Sequence, residues 1–195
     1  RENVTVALSG DGGDEIFGGY NRYKHLSKIK SYEEYAPSIL KKFILKSYKL
    51  IPDNIWDSIG TSLNIDQGSD KIRKIIKIVQ ARDKIEGFKS ILMNTDYSNK
   101  LLSNIPEKDY IHSDIDDISK INDINQLMMN IDQKNYLSDD ILVKLDRSAM
   151  ASSLETRVPF LDRDVVEFAS KIPLSSKASF NSNKLILRKI LKNYI

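Results

Sequence analysis

The sequence predicts a predominantly α-helical fragment of an α/β domain, with one parallel-sheet strand near Val4–Leu8 followed by helices. Three observations carry this. Val4, Val6 and Leu8 lie in a β-branched and apolar run only long enough for one strand, and the run stops at the turn signal Ser9-Gly10. From Pro37 onward the apolar residues recur at helical rather than alternating spacing. The strand also empties into a loop of glycines and carboxylates, and open α/β sheets bind their ligands at such carboxyl-terminal strand ends.

That loop reads SGDGGDEIFGGY over Ser9–Tyr20. Gly10, Gly12 and Gly13 let backbone N–H groups approach a ligand closely, while Asp11, Asp14 and Glu15 offer hard oxygen ligands or acid–base groups. The combination suits a nucleotide phosphate bridged by magnesium. An ordinary tight turn with a helix N-cap has a similar composition, so spacing alone leaves both readings open. The ligand alternation of an EF-hand is absent.

Composition narrows the class. The 195 residues with 41% hydrophobic content can bury a core, and 30 basic against 27 acidic side chains argue only weakly for a nucleic-acid or membrane partner. No cysteine is present, which excludes a disulfide framework, a cysteine nucleophile and a zinc–thiolate site, and agrees with a cytoplasmic protein. No apolar run approaches the ~20 residues of a membrane-spanning helix. A lone strand at Val4–Leu8 would leave its ladder groups unpaired, so the sheet is expected to lie upstream, or the strand to pair with another copy.

Along the chain, Asp14–Phe17 begins a short helix that Gly18-Gly19 break, and Tyr20–Ile29 is a helix with aromatic and basic residues. Helices are expected at Ser38–Leu50, Ile55–Leu63 and Lys71–Val79, with breaks at Gly60 and Asn64–Ser69, and another around Phe88–Met93. A polar stretch from Asn94 to Asp123 holds Asp114, Asp116 and Asp117, better read as solvated loop carboxylates than as a cation site. His25 and His112 have no neighbouring metal-ligand partner. Met128 and Met129 read as core filling.

The second informative block is DQKNYLSDDILVKLDRSAMASSLETRVPFLD, Asp132–Asp162. Leu137, Ile141, Leu142 and Leu145 repeat at helical spacing, with Ser138 as N-cap and Asp139-Asp140 in the first turn. Lys144, Asp146 and Arg147 precede small residues that suggest close packing, where charges must pair. Pro159 forces Val158 out of helical space, and Arg157 can present its fork to Glu155, Asp162 or a phosphate.

Together SGDGGDEIFGGY and YLSDDILVKLDRSAMASSLETRVPFLD, in this order and followed by the apolar helix Lys184–Lys192, resemble the synthetase domain of glutamine-hydrolysing asparagine synthetases. The resemblance implies an adenine-nucleotide α-hydrolase-like (ATP pyrophosphatase) fold. It also implies a C–N ligase that uses ATP and Mg2+ to adenylate the β-carboxylate of aspartate, and then lets glutamine-derived ammonia displace AMP. On this resemblance Ser9, Gly10 and Gly12 contact the nucleotide, and Asp11 stands where many members carry a glutamate tied to the adenylate. Asp14 is the carboxylate for magnesium and pyrophosphate, and Lys144 faces the phosphates. Asp146, Arg147, Glu155, Arg157 and Asp162 give structural support. The implied partners are small molecules, with neither nucleic acid nor membrane, and a homodimer is compatible with them.

The resemblance frames the chain as one partial synthetase domain: strand and ligand loop at 1–20, a helical region at 21–131, and the second block with its helices at 132–195. The family's SGGxDS-type pyrophosphate loop and its glutaminase cysteine are expected upstream and its lysine-bearing loop beyond Ile195, so the segment alone is expected to be inactive. Two other readings share these motifs: an amidotransferase acting on another carboxylate, such as a sugar acid or peptide, and a non-catalytic helical module.

Overall fold

A computed structural model describes residues 4–35, 50–62, 68–81, 83–92, 121–179 and 182–195, with isolated positions between 37 and 46. In chain order the elements are β1 (Val6–Leu8), α1 (Gly13–Phe17), α2 (Asn21–Tyr35), α3 (Asp53–Ser62), α4 (Gly68–Gln80) and α5 (Lys84–Leu92). Then come α6 (Ile124–Lys134), a wide π-type turn (Leu137–Ile141), α7 (Leu142–Ala151), β2 (Glu155–Arg157) and a 3-10 turn (Pro159–Leu161). The last three are α8 (Arg163–Lys171), α9 (Leu174–Lys177) and α10 (Leu185–Leu191). Residues 1–24 with 107–195 form one compact unit and residues 25–106 a second. No helix among the described residues is long and apolar enough to cross a membrane.

In the first unit β1 has a partner within the chain, so it is not the lone strand expected from the sequence. β2 lies parallel to it with Val6 opposite Glu155 and Leu8 opposite Arg157. The ladder extends through Glu155 N–H to the Thr5 carbonyl (3.0 Å) and Ser9 N–H to the Arg157 carbonyl (2.8 Å). The strand is not buried as its apolar run suggests: Val6 is 46% and Leu8 75% exposed, because nothing among the described residues covers these side chains.

The core of this unit lies under the loop. Ile16, Phe17 and Ala169 are buried, with Phe160, Leu161, Val165, Val166, Ile186 and Leu187 packed around them. Asp162 caps α8 by accepting from Asp164 N–H at 2.9 Å. Asp123 caps α6 by accepting from Asn125 and Gln126 N–H groups at 2.8 and 3.0 Å. Met128 and Met129 are buried, as core filling requires.

Ser138 is not the N-cap its position suggests. Its hydroxyl donates backwards to the carbonyls of Lys134 (2.9 Å) and Asn135 (3.2 Å), so it competes with the backbone inside a helical run instead of capping a new one. The run widens there, Leu142 N–H reaching the Leu137 carbonyl, five residues back.

Behind α1 sits a polar network. Asp132, fully buried, takes Arg22 Nη2 at 2.8 Å, Arg22 Nε at 3.2 Å and the Tyr23 hydroxyl at 2.6 Å. The Arg22 guanidinium lies over the rings of Tyr20 (4.1 Å) and Tyr136 (4.8 Å). Burial pushes the Asp132 carboxyl upward against the opposing pull of the Tyr23 hydroxyl and Arg22, and burial with Asp132 beside it raises Tyr23.

In the second unit α4 contacts both α3 and α5, and Ile76, Ile78 and Phe88 are buried. Gly60 lies within α3 and marks no break, whereas α3 ends at Ser62 and α4 opens at Gly68-Ser69, with residues 64–67 of the expected Asn64–Ser69 break outside the described residues. Most of the expected helix at 38–50, His112 and Asp114, Asp116 and Asp117 lie outside the described residues.

Removing the Asp132 carboxylate strands a largely buried guanidinium. Asp132→Ala is expected to cost about 3–5 kcal/mol in denaturant unfolding, against a smaller loss for Asp132→Asn. Lys177, only 8% exposed, has its amine pushed below 10.5 by burial. Over the pH range just below 10.5 the unfolded chain therefore binds the extra proton, and stability rises with pH. Lys177→Met is expected to flatten that rise in thermal unfolding measured across pH 8–10.5.

Candidate functional site

The loop begins where β1 ends and is held in place by the second block. Gly12 has a φ of 82°, open to glycine at little cost, and a Cβ there would come within 2.8 Å of Leu161 Cγ. Gly13 lies against Phe160, whose Cδ2 would be 3.1 Å from an added Cβ. Phe17 meets the Phe160 ring edge-on at 5.9 Å. The Val158-Pro159-Phe160-Leu161 segment can present these two side chains because Pro159 holds Val158 at φ −119°, ψ 81°, outside helical space. Parallel pairing of β1 with β2 and apolar seating of the loop on Phe160-Leu161 thus join the two blocks into one structure.

The three loop carboxylates have three fates. Asp11 accepts from the Ser9 hydroxyl, and Ser9 Oγ in turn accepts from Asp11 N–H at 3.4 Å. Asp14, at the start of α1, is partly exposed, and its Oδ1 takes Lys184 Nζ at 2.9 Å. Glu15 does not face the site: it is 1% exposed and accepts from the Tyr20 hydroxyl. Burial, then the Glu15 hydrogen bond, raise the Tyr20 phenol well above its ordinary range, so it stays a neutral donor. An added Cβ on Gly10 would meet nothing within 4 Å, so one side of the loop is open. Gly19 is the opposite case, because a Cβ there would fall inside the Asp14 carboxylate.

Of the residues expected from the sequence, the structure groups Ser9, Gly10, Asp11, Gly12 and Asp14 in this loop. Lys144, Asp146 and Arg147 are exposed on α7 and form no hydrogen bond or ion pair among the described residues. The expected close packing with paired charges is not found, since α7 buries only Ala149. Arg157 turns its fork to Glu155, two residues earlier on the same strand face, and Asp162 serves as the α8 cap.

Lys184 was not legible as a site residue. It sits at the N-cap of α10 with φ 53° and reaches back to Asp14. One signal was present: a cation at a helix N-terminus opposes the helix dipole, and such a placement calls for a local anion.

Among the described residues no three His, Cys, Asp or Glu side chains gather as a metal cage. Asp14 offers a single carboxylate, its Oδ2 without a partner among the described residues. That fits a magnesium ion held mainly by substrate phosphates and water.

The family model described as "Asparagine synthase" matches residues 1–195. The chain is 35% identical over its full length to "Asparagine synthetase [glutamine-hydrolyzing] 1" of Bacillus subtilis (strain 168), covering 29% of that protein. It is 30% identical over 98% of its length to "Putative asparagine synthetase [glutamine-hydrolyzing]" of Mycobacterium bovis, covering 28% of that protein. With "Asparagine synthetase [glutamine-hydrolyzing] 3" of Bacillus subtilis it shares 26% identity, covering 25% of that protein. The chain thus spans under a third of the length of these curated relatives. No solved structure matches.

Gly12→Ala adds a strained φ and a clash with Leu161. It is expected to destabilise the protein by about 1–3 kcal/mol. Combining it with Leu161→Ala should recover the steric share and leave the backbone share, so a double-mutant cycle in urea unfolding should show positive coupling between the two positions.

Proposed function

The chain belongs to the asparagine synthase family, and from that membership we propose that it is one partial synthetase domain supplying one wall of an ATP site. The observation that carries the reading is the open glycine loop at the carboxyl end of β1, with Asp14 and Lys184 paired at its edge. In this reading the full-length protein is a glutamine-dependent C–N ligase. An oxygen of the aspartate β-carboxylate attacks the α-phosphorus of ATP, and pyrophosphate leaves. Ammonia from glutamine then attacks the acyl carbon, and the amide forms as AMP departs and a proton is lost.

The chain's own residues divide this work. Ser9, Gly10 and Gly12 shape the backbone against the nucleotide, and Asp11, fixed by the Ser9 hydroxyl, stands toward the adenylate. Asp14 would hold magnesium through its Oδ2. The ion, when bound, supplies positive charge to the triphosphate, the electrostatic demand common to phosphoryl-type transfers. Lys184 would meet the charge that accumulates on the departing pyrophosphate, a role supported by its ion pair with Asp14 at the edge of the loop. This lysine lies inside the chain, where the family comparison of motifs alone placed one beyond Ile195. Lys144 remains a second candidate for the phosphates, on an exposed face and with no ion pair among the described residues.

ATP–pyrophosphate exchange by the full-length protein tests the reading. Exchange should depend on aspartate, and Asp14→Ala should lower it by about 10²-fold or more. A panel of carboxylic acids in AMP release decides the acceptor. Indifference to aspartate would transfer the reading to another carboxylate, and full exchange in Asp14→Ala would reject the loop as the nucleotide site.

A further inference from the structure

Lys184 reaches Asp14 from a backbone conformation that non-glycine residues seldom occupy, with φ 53°. Such a conformation persists only where the surroundings over-determine it. Two neighbouring side chains do so. Asn183 Nδ2 donates to the Gly19 carbonyl at 2.6 Å and to Asn21 Oδ1 at 3.2 Å. A carbonyl can only accept, so the amide orientation of Asn183 is fixed by chemistry. One turn into α10, Arg188 Nε donates to the Asn183 carbonyl at 2.9 Å, while Arg188 N–H takes the Lys184 carbonyl at 2.9 Å.

These contacts close a ring. Gly19 N–H donates to the Asp14 carbonyl at 2.8 Å, the Gly19 carbonyl accepts from Asn183, Asn183 is bonded to Lys184, and the Lys184 amine returns to the Asp14 carboxylate. Gly19 is wedged against both charged side chains, so none of the four can move far without the others. The geometry points to Asn183 and Arg188 as positioning residues for Lys184. Asn183 anchors the turn to the loop, and Arg188 locks the Asn183 peptide from the helix side. Their effect on activity rests on the ATP-site reading, but their effect on the lysine does not.

Two measurements on the full-length protein separate these. The first is competitive acylation by acetic anhydride with peptide mass spectrometry, using the exposed Lys189 and Lys192 as internal references. Asn183→Ala and Arg188→Ala should raise Lys184 acylation several-fold relative to both references, and Arg188→Lys, which keeps the charge but not the Nε fork, should fall between. The second is ATP–pyrophosphate exchange, where Asn183→Ala should lower kcat about tenfold with the ATP KM changed by less than about twofold. Added to Lys184→Ala, it should cause no further loss, because the residue it positions is gone. Should N183A fail to fold, the isosteric N183D, which lacks the donor, carries the same expectation. Unchanged Lys184 acylation in both alanine variants overturns the proposal, as does an additive loss in the double variant, which would mark a general structural role. A parent protein without exchange activity rejects the ATP-site reading, while the acylation result still decides the brace.

Discussion

The contact of Gly12 with Leu161 is the constraint on which the site depends. A loop that must turn with a positive φ and lie flat against an isobutyl group has room for hydrogen at Cα and little else. Once seated, it aims Asp14 outward and Glu15 inward from adjacent positions of one short helix, because consecutive helical residues point about 100° apart. Two carboxylates of similar chemistry thus take opposite roles: one stays at the surface beside a lysine, and the other disappears into a tyrosine hydrogen bond.

Behind the loop, the Arg22–Asp132 pair fixes the start of α2 to α6. Arg22 is held on three sides, by a buried carboxylate and by the faces of Tyr20 and Tyr136. Burial alone would pull its proton off more readily, but Asp132 more than compensates and keeps the cation intact. Tyr20 then ties this pair to Glu15, so the base of the loop is stiffened by hydrogen bonds while its outer edge is left to charge.

How much of this was readable depended on whether the signal was local. The strand end, the glycine–carboxylate loop and the short helix broken at Gly18-Gly19 follow from residue types within a few positions of one another. The relation between the two blocks was legible as order and resemblance, but not as contact. Nothing in Phe160 or Leu161 says which backbone they will press against. β2 escaped because three residues, Glu155-Thr156-Arg157, alternate polar side chains around a single half-buried threonine, a pattern indistinguishable from a loop. Ser138 misled for a physical reason: the same hydroxyl that caps a helix start can bond backwards to a carbonyl, and the choice is made by the chain before it. Lys184 was hidden because its meaning comes from an anion far away in sequence.

The pairing of Val6 with Glu155 also has a kinetic meaning. Local helices such as α4 and α6 need only near neighbours for their backbone hydrogen bonds, whereas the parallel ladder must bring residue 6 to residue 155. Loop closure on that scale is entropically slow, and contacts of high sequence separation delay folding. The loop that carries Asp11 and Asp14 therefore has no seat until β2 and the Phe160-Leu161 turn arrive.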